Sequence, residues 1–335
     1  MQAGTGTVRD EGETMAKAIE QLASGMVIGH AKLGRHGEGR GSVTQQVHDG
    51  DTANTEAVGN FGVRFLGVDA PEVSFTLPGG DPLRFVPLTN QAWQAPLADP
   101  FAASLPPFDP PIDAALQAHL AGRVGQGTAA NHARHAERAH RGLEQHVGND
   151  LEALGHTTEE FEFFLAFAGE VMDRYGRLLG YLNRQQPSAT SPSPRPLSYN
   201  ERLLEGGLVT PYFIWPNVNP FRRQRTLPAA VPRPGTASQL ASAEPSLRRA
   251  RAWVAQARDQ GTGLYEQPDP LQLFPFELRF ISRRQPPDRW VIDLGRGDDV
   301  LLPPQAYFTI PNPEDRLYIP SEYVPLFVEA GWGRA

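Results

Sequence analysis

The 335-residue chain contains no cysteine. That absence excludes disulfides, thiolate-bound zinc and thiol catalysis. It leaves the compartment open, because a chain without thiols suits any redox environment. Also missing is an apolar run near the ~20 residues of a membrane-spanning helix. The opening MQAGTGTVRDEGETMAKAIEQLASG has no uninterrupted apolar stretch of the kind a signal peptide carries. These gaps lead to the expectation of a cytoplasmic protein with no membrane partner, or a secreted one if a leader preceded Met1. Nor is there an excess of positive charge. The formal net charge is −7, so any contact with nucleic acid must be made by a local patch, not by the field of the whole molecule. What is abundant is proline, with 32 residues, about twice the usual share of ~5%. The prolines cluster, which points to long connections between elements.

Along the chain, residues 1–24 read as a polar lead-in. Strand-like runs follow at Gly25–Leu33, Ser42–His48, Ala53–Val58 and Phe61–Val68, separated by glycine-rich turns. Short strands at this spacing predict a small antiparallel barrel. Residues 73–130 carry too many prolines for core strands and read as an insertion. A helix is expected at about 131–155, and 161–183 as two strands around a turn at Asp173–Gly176. Residues 184–197 and 216–244 read as loops. A helix at 198–208 is signalled by Ser198 and Glu201 at capping-box spacing and by Gly206–Gly207 as a stop. Another is expected at 245–260, where Leu247, Ala250, Val254 and Ala257 form one apolar stripe. Residues 268–335 restart a β-rich pattern (FELRFIS, WVIDL, VLLP, AYFTI, LYIP) and are expected to form a small module of their own. The fold class predicted is α+β.

The segment VHDGDTANTEAVGNFGVRFLGVDAPE, residues 47–72, holds the acids Asp49, Asp51, Glu56, Asp69 and Glu72 and the base Arg64. Burying an unpaired carboxylate is costly, so acids at strand ends either face water or hold something positive. Oxygen donors without cysteine suit a hard cation such as Ca²⁺. Taken singly, the pieces are ordinary: DGD makes a good turn, Arg64 a surface ion pair, Asp173–Gly176 a hairpin turn. Their joint occurrence in order is the stronger signal.

Four pieces, VHDGDT (47–52), VRFLGVDAPE (63–72), DRYGRLLGYL (173–182) and NERLLEGGL (200–208), resemble the staphylococcal nuclease (thermonuclease) family, and the helix at 245–260 fits that family's last helix. With the insertions set aside, the resemblance spans about 40–265. It implies an oligonucleotide-binding β-barrel with three helices over 25–267. It also implies one Ca²⁺ held by Asp51, Asp69 and the backbone carbonyl of Ala70, where the family prototype has a hydroxyl residue. Glu72 would orient or deprotonate the attacking water, and Arg64 and Arg177 would grip the phosphate. The implied activity is calcium-dependent hydrolysis of DNA and RNA with little sequence preference, leaving 3′-phosphate ends. Tyr175, Tyr212, Phe213 and Trp215 become candidates for stacking on the bases, with FRRQR (221–225) as a small basic patch nearby. The insertion follows the catalytic arm directly and is expected to lie at the site's rim and narrow substrate choice. Two roles stay open: a catalytically silent relative that only holds nucleic acid or protein, and a protein partner bound through 268–335. The histidines of NHARHAERAHRGLEQH are read as part of a solvated, arginine-rich helix and given no role.

Overall fold

The computed structural model describes residues 17–22, 24, 26–49, 52–185 and 195–335. Asp51, most of the 1–24 lead-in and the middle of the 184–197 loop lie outside the described residues. The chain divides into two compact units, residues 1–64 with 171–179 and residues 65–170 with 180–335.

The first unit consists of short ladders. Ile19–Gln21 pairs with Val27–Gly29, Ala31–Leu33 with Thr55–Ala57, Arg35–His36 with Gly39–Arg40, and Val47–Asp49 with Thr52–Ala53. Where a strand over Ser42–His48 was expected, the chain first makes a helical turn, Val43–Gln46. The reason is local. Ser42 Oγ accepts from the Gln45 N–H at 3.3 Å while the Gln45 side chain accepts from the Ser42 N–H at 2.9 Å, a reciprocal cap that satisfies two otherwise orphaned donors. Among the described residues, neither large hydrophobic cluster draws a member from this unit.

The second unit is organised by a four-stranded sheet in the order Gly67–Asp69, Thr210–Ile214, Arg316–Ile319, Trp290–Asp293. The first and last pairings are antiparallel and the central one is parallel. The Thr210–Ile214 strand is buried at four of its five positions, as expected of a central strand covered on both faces. One core packs the helix Tyr199–Glu205 and the helix Pro245–Gln260 against this sheet. Both helices form as expected. Ser198 and Glu201 make the capping box, and the second helix buries Leu247, Ala250, Val254 and Ala257. The molecule is therefore mixed α+β, and no sheet closes into a barrel among the described residues.

A second core joins segments far apart in the chain. Phe75, Leu88, Trp93, Leu97, Leu116 and Leu120 from the 73–130 insertion pack with Leu273, Phe276, Ile281 and Tyr307. The insertion and residues 268–335 thus complete one another, and both belong to the second unit. Residues 268–335, expected to stand as a module of their own, instead supply two strands of the central sheet. FELRFIS, expected within a β-rich pattern, is the helix Pro275–Arg283. Proline at the first turn and the Glu277 carboxylate, which accepts from the Phe274 N–H at 2.7 Å, start it. Alternating apolar residues also suit a helix buried on nearly every side, and periodicity alone does not separate the two. The first four residues of AYFTI lie in the 3₁₀ helix Pro304–Thr309, and Ile310 caps it.

The long helix Thr128–Leu154 corrects the reading of two of its histidines as solvated, while His140 is exposed. His132 and His135 are fully buried. Their side chains face inward with Ala129, Ala136 and Ala139.

Candidate active site: two acids on one guanidinium

The segment Asp69-Ala70-Pro71-Glu72 leaves the edge of the central sheet, where Asp69 is in register with Thr210. Three anchors fix it. The Thr210 hydroxyl donates to the Asp69 carbonyl at 3.0 Å. The Glu72 N–H donates to His132 Nε2 at 2.9 Å, so the proton of the neutral imidazole sits on Nδ1. The third anchor is Arg279, from the middle of the Pro275–Arg283 helix.

Arg279 Nη1 donates to Asp69 Oδ1 at 2.8 Å and Nη2 to Asp69 Oδ2 at 2.7 Å, a parallel two-bond fork. The same Nη1 donates to Glu72 Oε1 at 2.7 Å. Asp69 is 1% exposed and the Arg279 side chain 12%. Burial works against the charged guanidinium, but the adjacent Asp69 and Glu72 carboxylates outweigh it and hold Arg279 above its ordinary pKa. Burial, with His135 next in size, depresses His132 to about 3, so this imidazole stays neutral. The two acids thus converge on one positive centre, and that centre is a side chain.

The donor set suits a hard cation in kind, being oxygen only. Each carboxylate oxygen has two lone pairs, and Glu72 Oε2 has no hydrogen-bond partner among the described residues. Ala70, whose carbonyl completes the implied set, is exposed. Among the described residues no group of three or more His, Asp or Glu side chains could hold a metal ion, and Asp51 lies outside them. An ion bound at Asp69 would share that carboxylate with Arg279.

Arg64, Tyr175 and Arg177 belong to the first unit. Arg64 is half-buried on the strand Val63–Phe65. The other two sit on a tightly bonded turn. Asp173 Oδ1 accepts from the N–H groups of Tyr175 at 2.9 Å and Arg177 at 3.0 Å, and Asp173 Oδ2 accepts from Arg177 Nε at 2.8 Å. Gly176 takes φ +80°, where a side chain would be strained. Arg174 and Arg177 both lie over the Tyr175 ring, at 4.9 and 5.4 Å from its centroid. Of the expected site residues that are described, Asp69 and Glu72 meet on Arg279, and Tyr175 and Arg177 meet on Asp173.

The other expected stacking residues are part of the cores. Tyr212 stacks on Phe276 at 5.5 Å, and its hydroxyl accepts from Arg289. Phe213 is 2% exposed. Trp215 is 0% exposed, edge-on to Tyr323 and Phe327, with its indole N–H donating to the Ala230 carbonyl at 2.8 Å. A base cannot reach a ring face that is already covered, so Tyr212 and Trp215 are structural in this conformation, while Phe213 lines a cavity. The parallel pairing to Arg316–Ile319, from the far end of the chain, helps bury them. Sequence reasoning missed Arg279 and His132. A signal for Arg279 was present, namely a single arginine at the centre of the apolar run FELRFI. His132 offered none beyond its helical spacing from Ala129 and Ala136.

No known family model matches the chain, and no curated protein or solved structure matches it significantly. The likeness to the staphylococcal nucleases therefore rests on the four motifs and their order.

Proposed function

We propose that the protein is a calcium-dependent nuclease that hydrolyses phosphodiester bonds of DNA and RNA with little sequence preference, on a scaffold related to the staphylococcal nuclease barrel. The observation that carries this reading is the convergence of Asp69 and Glu72 on one cationic point, Arg279 Nη1. Two carboxylates with a shared positive partner suit a site that handles a phosphate and an attacking water. Bound Ca²⁺ would neutralise developing charge on the phosphate oxygens. Asp69 is the described side chain that would hold it. Glu72, whose Oε2 has no partner among the described residues, would accept a proton from water. Arg177, with its Nε and Nη2 on Asp173, would present the rest of its fork to a phosphate.

A specific observation also favours a second reading. Arg279 already neutralises the acids, as would suit a silent module that binds nucleic acid without cutting it. One experiment separates the two. The full chain is incubated with single-stranded DNA or RNA, with Ca²⁺ or with a chelator, alongside Glu72→Gln. The nuclease reading expects calcium-dependent cleavage that falls by about 10²-fold or more in Glu72→Gln, with substrate still bound. Retained binding without cleavage under any divalent ion supports the silent module, and full activity of Glu72→Gln removes Glu72 from the chemistry.

A further inference from the structure

A feature of the second unit that the candidate site does not use is a cavity whose lining includes neither Asp69 nor Glu72. It lies between the central sheet and the helices Tyr199–Glu205 and Pro245–Gln260 and has a volume of about 190 Å³. Its walls are mainly apolar, with Leu66, Val68, Leu204, Phe213, Leu247 and Ala250 prominent. A cavity of ~150 Å³ lined by such side chains accepts benzene, so this one has room for a single ring or a short alkyl chain and a head group.

The lining also includes polar residues, among them Asn183, Arg195 and Asn200. Arg222, from the basic FRRQR segment, lines the cavity. Its Nε donates to Asn219 Oδ1 at 2.8 Å, and its guanidinium lies over the Tyr181 ring, 4.5 Å from the centroid. Its Nη1 is buried and has no hydrogen-bond partner, and it makes no ion pair among the described residues. Glu201 also lines the cavity but is committed elsewhere. Its Oε2 accepts from the N–H and hydroxyl of Ser198, each at 2.9 Å, and its Oε1 lies 3.7 Å from Arg249. A permanently charged guanidinium held by a neutral amide and a ring, with one nitrogen buried and unsatisfied, is costly unless an anion completes it.

We infer that this cavity is a binding site for a small amphipathic anion, with an aromatic or short aliphatic body among the apolar walls and a carboxylate or phosphate on Arg222. The fork of Arg222 still has donors to offer such a group, and two-point contact with planar oxygens is what guanidinium does best. The site does not depend on the nuclease reading.

The test uses the full chain and three probes of one ring each: benzoate, phenyl phosphate and the neutral benzyl alcohol. Binding is followed by ligand-observed NMR titration and by thermal shift, since a ligand of the folded state raises stability by mass action. The expected result is at least about ten-fold tighter binding of one of the anions than of benzyl alcohol, the scale of a charge-assisted hydrogen bond. The better anion identifies the head group. Arg222→Gln should bring the ratio close to one, and Ala250→Phe should abolish binding of all three. Equal binding of anion and alcohol by the unmodified protein, an unchanged ratio in Arg222→Gln, or no binding of any probe would each overturn the proposal. The ratio in the unmodified protein decides the matter even if a variant does not fold.

Discussion

Two carboxylate–guanidinium pairs in this molecule look alike on paper and are built in opposite ways. Asp173 and Arg177 are four residues apart on a hairpin turn, and the Arg177 side chain is 41% exposed. Asp69 and Arg279 are 210 residues apart, both are largely out of water, and their meeting requires the central sheet and the second core to be in place. The first pair is a product of local chain geometry, with Asp173 also accepting the two backbone N–H groups that close the turn. The second is a product of tertiary structure, and its charges are out of water. A pair exposed to solvent contributes little because water competes for both ions. A buried pair need not stabilise the fold relative to an apolar alternative, yet losing one partner strands the other charge. The difference says which pair the fold depends on.

The largest expected effect is therefore at Arg279. Replacing it with methionine leaves Asp69 and Glu72 facing each other without a cation, and should cost about 3–5 kcal/mol of stability in urea unfolding. Added Ca²⁺ should recover part of that loss if the acids form an ion site, which the unmodified protein would show much more weakly. A loss below ~1 kcal/mol would mean that the pair is not a keystone of the second unit.

Next in size is the acid dependence set by His132. Its folded-state pKa of about 3 lies well below the unfolded value of ~6.5. The unfolded chain takes up that proton first as the pH falls. The contribution is fully present above pH ~6.5 and is lost towards pH 3, at up to about 1.4 kcal/mol per pH unit. In His132→Asn, which keeps an acceptor for the Glu72 N–H, this component of the pH slope should disappear. Equal slopes for the two proteins between pH 6.5 and 4 would contradict it.

The smallest effect is expected at the turn. Arg177→Ala should cost less than ~1 kcal/mol, because Asp173 keeps its backbone bonds, while under the nuclease reading it should still reduce cleavage strongly. A stability loss as large as that of Arg279→Met would erase the contrast between the pairs.

Much of the local structure was legible in the residues. The Ser198–Glu201 capping box, the apolar stripe of 245–260 and the Asp173–Gly176 hairpin form as their residues imply, because each is decided within a few residues of chain. Of the candidate site, the sequence pointed to Asp69 and Glu72 and to their need for a positive partner. It did not reveal that the described partner is Arg279. Nor did it show that Tyr212, Phe213 and Trp215 would be buried, since burial of a ring depends on what the rest of the chain lays over it.

The same division runs through the whole protein. The sequence by itself determined the mixed α+β class, the caps, the glycine turns and the absence of thiol chemistry, all of which follow from short-range sterics, hydrogen bonding and composition. Only the tertiary structure joined the proline-rich insertion to the C-terminal residues in one core and carried Arg279 to the acids. Those outcomes depend on which apolar faces find one another across two hundred residues, and on the cost of leaving a buried carboxylate without a counter-charge.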